Sequence, residues 1–133
     1  MKIVSITSRY LLGLLFTVFG LNGFLQFTHQ PPPSDPLALQ FLVAVSASHF
    51  AAFFFAVQVV GGLLLLSGYF VPLALILLAA ELYNILAFHL MFQSGSGIGP
   101  GLLACVLWVL VFLQYRANFN SILTPKPASQ PWA

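Results

Sequence analysis

Charge is what this sequence lacks. Of 133 residues, four are Lys or Arg and two are Asp or Glu, together 5% of the chain, where a soluble domain carries about 25%. So few charges cannot make a water-facing surface, which excludes an ordinary soluble enzyme and leaves lipid to cover much of the chain. A net charge of +2 is too small to point to nucleic acid, and no basic cluster or stacking stripe replaces it. Cys105 is the one cysteine, so an internal disulfide and CxxC chemistry are excluded; inside an apolar run it reads as a small hydrophobe. Lys2 and Arg9 ahead of an apolar stretch imitate a secretory leader. That stretch is too long for one and no A-x-A site follows, so a retained membrane span is expected.

What is abundant is apolar: 60% of the residues are hydrophobic. The pattern predicts an all-α fold, a four-helix transmembrane bundle in a single membrane domain over 1–133. The first span is expected at 10–28, which at about 1.5 Å per residue reaches roughly 28 Å, the thickness of the hydrocarbon core. HQPPPSDP at 29–36 ends it, since consecutive prolines fix φ and remove donors. Residues 37–67 as one helix would run about 46 Å, too long for an ordinary span. A change of composition at Ser46, Ser48 and His49 suggests instead a short interfacial or re-entrant helix over 37–47, then a span over 50–67, with one long tilted helix as the competing reading. Gly68 and Pro72 mark a tight reversal. The third span follows at 71–92, QSGSGIGPG at 93–101 forms a flexible polar loop, and the fourth span covers about 99–115. The tail from 116 onward is polar, proline-rich and expected to be loosely ordered.

The cations set an expected orientation. Lys2 and Arg9 flank the first span and Arg116 and Lys126 follow the fourth, which places both termini in the cytoplasm. Tyr10, Tyr69, Phe70 and Tyr115 then fall at the cytoplasmic interface as an aromatic belt.

Against this background ELYNILAFHL, residues 81–90, stands out. Glu81 lies roughly 15 Å into the third span, and Gln58 counts back to a similar depth in the second. At about 100° per residue, Asn84 falls about 60° to one side of Glu81 and His89 about 80° to the other. In the first span Asn22, Gln26 and His29 follow i, i+4, i+7, a stripe within about 60°. An acidic residue at the centre of a membrane helix costs around 3 kcal/mol, so it must be protonated, paired or in a wet cavity. A neutral Glu81 hydrogen-bonded to Gln58, Asn22 or Asn84 is expected, with Arg9 as second candidate partner. Glu81 and His89 are thus the candidate catalytic residues, with Asn22, Gln26, Gln58, Asn84 and Arg9 as candidates for binding a cofactor. The amides also serve as helix–helix glue. His29, His49 and His89 fall on one side, but their spacings match no ligand motif and no metal site is assigned to them. Trp108 and the many Phe residues read as packing or lipid-facing groups. Gly13 and Gly20, opposite the polar stripe, allow close approach of a second helix or a second subunit.

RYLLGLLFTVFGLNGFLQF at 9–27, VQVVGGLLLLSGYFVPLALILLAAELYNILAFHLMF at 57–92 and a closing apolar span ending QYR together resemble the DoxX family of small bacterial membrane proteins. The matching marks are Arg9, Gly13, Phe16, Gly20, the Gly61–Gly62 pair, Pro72 and Asn84-Ile85-Leu86 with His89. The resemblance implies a four-helix bundle in the bacterial inner membrane, associated with quinol oxidase assemblies, thiosulfate–quinone oxidoreduction or oxidative-stress systems. The chain departs from the thiol-transfer relatives in having no cysteine pair. It shows no haem, flavin or iron–sulfur motif, so electron transfer by this chain alone would need a diffusible cofactor such as quinone. Two readings follow. One is a quinone- or lipophile-binding subunit of a membrane redox system, its partners being the lipid bilayer, redox-complex subunits, or a second copy through the Gly13/Gly20 face. The other is a non-catalytic scaffold or assembly factor. A transporter is weaker, because no inverted repeat or line of charges is present.

Overall fold

The computed structural model describes residues 2–129, which form five α-helices: α1 (Lys2–Leu25), α2 (Pro36–Ala47), α3 (Ala51–Ser67), α4 (Val71–Phe92) and α5 (Gly99–Tyr115), followed by a 3₁₀ turn at Arg116–Phe119. Among the described residues there is no strand. α1, α4 and α5 with its 3₁₀ turn are long and apolar enough to cross a membrane, and the bent α2–α3 pair makes a fourth candidate if taken as one span.

α1, α3, α4 and α5 close a ring in which each packs on its two neighbours, α1 on α3, α3 on α4, α4 on α5 and α5 back on α1. Helix directions alternate. Gly13 faces Gly62 and Leu66 while Gly20 faces Phe55 and Val59; Gly61 faces Leu78, and Gly101 faces Ile85. The interior is filled by Leu12, Phe16, Leu65, Leu75, Leu78 and Val111, each 1% exposed or less. The outward faces are apolar as well, with Leu14, Val18, Leu63, Ile76 and Val106 all exposed, a surface compatible with contact to a lipid bilayer.

The α1–α3 seam is the tightest. A methyl group added at Gly62 would lie 2.4 Å from Thr17 Oγ1 and 2.7 Å from the Thr17 nitrogen, a spacing only glycine permits. The Gly13/Gly20 face is therefore covered by α3 of the same chain. The expected second helix is there, and the homo-oligomer through this face is corrected: no surface is left on it for another copy.

Helix ends follow local chemistry. Asp35 caps α2, its Oδ1 accepting from the Leu37 and Ala38 amides at 2.8 and 2.9 Å, with Pro36 in the first turn. α2 and α3 meet at 80°, which excludes the single long helix. The break lies at Ser48 and His49: the Ser48 hydroxyl donates to the Val45 carbonyl and accepts from the Phe50 amide, and His49 takes a left-handed φ of 60°, so the helical ladder stops. Gly68 closes α3 at φ 77°, its amide donating to Leu64 at 3.1 Å.

Two expectations about the ends of the chain are corrected. The first helix is not 10–28 but Lys2–Leu25. It starts early, with Ser5 and Ser8 on its buried face, and it stops early because Gln26 adopts φ 50°. The tail does not loosen at 116. The 3₁₀ turn returns Phe119 to the interior, 6% exposed, with its ring 5.0 Å from that of Phe112.

Candidate functional site

Glu81 is 6% exposed and Gln58 8%. They face each other across the α3–α4 seam, and Gln58 Nε2 donates to Glu81 Oε2 at 3.3 Å. The hydrogen bond expected from their matching depth is therefore present, and the acidic side chain points inward. Alternating helix directions cause this: each residue sits near the middle of its helix, so antiparallel packing sets them level.

Gln58 also lines a cavity of about 940 Å³. Its walls come from Phe16, Phe19, Phe55, Ile85, Phe92 and Ala104, and its mouth from the proline-rich segment 30–36 and the glycine-rich segment 93–97. Glu81 is not on the lining; it stands behind Gln58. A smaller cavity of about 530 Å³ adjoins it at the α2–α3 bend, lined by Gln26, His29, Ser46 and His49. Asn22, Gly23, Gln30 and Phe55 line both. The Phe55 ring fills the place where a side chain on Gly23 would stand, with ring atoms 2.2 to 2.4 Å from an added methyl. Glycine at 23 is thus what lets Phe55 partition the two spaces.

The remaining candidates are not gathered around Glu81. Asn22 lines the large cavity, but its side chain clamps the chain after α1: Oδ1 accepts from the Thr28 amide at 2.8 Å and Nδ2 donates to the Thr28 carbonyl at 3.3 Å. His89 also lines it, with Nδ1 2.8 Å from the Ser96 carbonyl. A carbonyl only accepts, so Nδ1 carries the hydrogen and Nε2 of the neutral ring is an acceptor. His89 thereby contacts the 93–97 loop, while residues 99–101 of the expected loop belong to α5. Gln26 is exposed just beyond the end of α1, and since the helix stops at Leu25 the Asn22–Gln26–His29 stripe does not form.

Asn84 is exposed, and its amide donates to the Ala80 carbonyl of its own helix at 2.9 Å. A side chain satisfied one turn back needs no partner across the bundle, which corrects its assignment to the Glu81 cluster. Arg9 is corrected too. Its guanidinium donates to the Leu65 carbonyl at the C-terminal end of α3 and its Cζ lies 4.5 Å above the Tyr10 ring. It satisfies the carbonyl end of a helix, where a cation is favoured, at the pole of the bundle opposite the cavity mouth. Among the described residues no group of three or more His, Cys, Asp or Glu is placed to hold an ion.

One polar contact was not foreseen. Trp108 on α5 donates from Nε1 to the Leu75 carbonyl of α4 at 2.8 Å, so it is more than a packing group. Its only sequence signal was a tryptophan deep in an apolar helix, where a buried indole N–H needs an acceptor.

Compared with family models, with curated proteins and with solved structures, the chain matches none of them.

Proposed function

We propose that the chain is a DoxX-like, four-span protein of a bacterial inner membrane with both termini cytoplasmic, and that its large cavity binds a quinone or another lipophile for a membrane redox complex. The observation that carries this reading is a 940 Å³ space lined by Gln58, the residue that meets the buried carboxyl of Glu81. Ligand sites of this kind are concave, mostly apolar and fitted with few polar groups. In bundles they are built from side chains on facing helices.

A quinone suits the residues present. Phe16, Phe19, Phe55 and Phe92 offer apolar and ring-stacking surface, and the Gln58 amide and His89 Nε2 offer a donor and an acceptor to a polar head. A bound quinone would supply electron acceptance coupled to proton uptake, with the electrons delivered by the partner complex. The chain's own work is to hold the head, exclude water with the aromatic walls, and keep Gln58 oriented through its bond to Glu81.

The test is co-extraction. Purified in mild detergent from native membranes, the protein should carry quinone near one per chain, and Gln58→Leu should lose most of it. Wild-type protein free of quinone and unable to take up a short-chain analogue would remove the proposal. A non-catalytic scaffold is the second reading, favoured by one observation: Arg9, Asn22, His89 and Trp108 all direct their hydrogen bonds to the protein's own backbone.

A further inference from the structure

The cavity has a charge as well as a shape. The whole chain contains two acidic side chains, and both lie at or next to this cavity. Asp35 lines the mouth, and Glu81 stands behind the Gln58 that lines it. The four Lys and Arg residues lie elsewhere. Lys2 and Arg9 are in the first turns of α1, Arg116 follows the C-terminal end of α5, and Lys126 lies in the tail. Among the described residues none of them lines the cavity. The one base on the lining is His89, whose Nδ1–H is given to the Ser96 carbonyl.

From this asymmetry we infer that the cavity selects lipophilic organic cations over lipophilic anions. The inference rests on the cavity being a lipophile site and names the class it prefers. Three features act in the same direction. Asp35 at the mouth gives Oδ1 to two amides of α2, and no Lys or Arg shares the lining with this acidic side chain. Four phenylalanines line the space, and the faces of aromatic rings attract cations and not anions. The Glu81 carboxyl stands one hydrogen bond behind the lining, through Gln58, and in its ionised form favours a cation over an anion. Helix ends are mixed here: the carbonyl end of α4 is negative, the amide end of α2 is satisfied by Asp35, and the amide end of α5, with Pro100 and Gly101 on the lining and no side-chain cap, is positive, so the preference rests on the side chains.

The experiment uses two probes of the same shape and opposite charge, tetraphenylphosphonium and tetraphenylborate. Their saturable binding to full-length protein in neutral detergent at pH 8 is measured by equilibrium dialysis, with a short-chain quinone as neutral reference. Binding of the phosphonium at least tenfold tighter than the borate is expected, with the ratio falling at least threefold in Asp35→Asn and in Glu81→Gln. Asp35→Asn keeps an N-cap acceptor in an exposed segment and Glu81→Gln keeps a partner for Gln58, so both variants should fold; a thermal melt checks this. Ala104→Phe, which adds a ring at a buried lining position and is checked by the same melt, should abolish the saturable component of both ions. Equal affinities for the two ions, a preference for the borate, or a preference unchanged in Ala104→Phe overturns the inference. If the quinone still binds in those cases, the lipophile site survives; if neither ion nor quinone binds, both readings fall.

Discussion

At the scale of the residue, the Gln58–Glu81 pair is a fold element, and Gln58 also lies on the wall of the cavity. Each partner is buried in apolar surroundings, so losing one costs more than losing both. Gln58→Leu leaves the carboxyl without its donor and should lower stability by about 1–3 kcal/mol. Glu81→Gln retains an acceptor and should cost less. The double variant Gln58→Leu/Glu81→Leu should recover part of the loss of the first, because replacing both partners removes the desolvation penalty. Thermal unfolding of the three proteins in one detergent measures this ordering, and a double variant less stable than the sum of its parts would contradict it. Gly62 makes a second prediction. With Thr17 2.4 Å from an added methyl, Gly62→Ala must push α1 and α3 apart, at a cost of about 1–3 kcal/mol, and the melting temperature should drop accordingly. This pair of residue types was legible in the sequence for different reasons. A lone carboxyl in a span announces itself by its cost, and Gln58 by depth alone. Asn84 was misleading because the bond that satisfies it is local, to a carbonyl one turn earlier, and helical spacing carries no trace of whether an amide looks outward or back.

At the scale of the element, punctuation residues explain what could be read. Gly68 with Pro72 fixed the reversal between α3 and α4, and the Gly–Pro run set the start of α5. The bend between α2 and α3 was visible as two serines and a histidine interrupting an apolar run. The start of α1 was not visible, because helix here extends through polar Lys2 to Arg9 by turning Ser5 and Ser8 inward, and only packing decides that. Nor was the end of α1, which depends on Asn22 reaching forward to Thr28. The cap of α2 yields a prediction: Asp35→Ala removes the acceptor of two amides and should destabilise α2 by about 1 kcal/mol. Hydrogen exchange at the Leu37 and Ala38 amides should quicken while α4 is unaffected; unchanged exchange there would show that α2 is held by its contacts, such as the Phe41–Phe92 stack at 5.2 Å, and not by its cap.

At the scale of the whole molecule, an apolar ring of helices with apolar faces both inside and outside is compatible with lipid. The resemblance and the cations together predict that the two ends of the chain share one side of the membrane. In a Cys105→Ala background, single cysteines at Lys2 and at Ser121 should react with an impermeant thiol reagent only after the cytoplasmic face is opened. A cysteine at Ser94 should react in intact cells. The opposite pattern would invert the orientation. Composition sufficed to predict a helical membrane bundle because so few charges leave no other surface. The cavity was beyond the sequence, since it arises from how the 30–36 and 93–97 segments stand over the ends of four helices.

The account turns on a lipophile entering that cavity, and a photoreactive azidoquinone tests it most directly. After irradiation in native membranes and peptide mapping, label is expected on residues that line the space, Gln58, Ile85 and Ala104, and should be displaced by excess unmodified quinone. Label confined to lipid-facing side chains such as Phe53 and Tyr83, which are 73% and 74% exposed, and undiminished by competition, would contradict it.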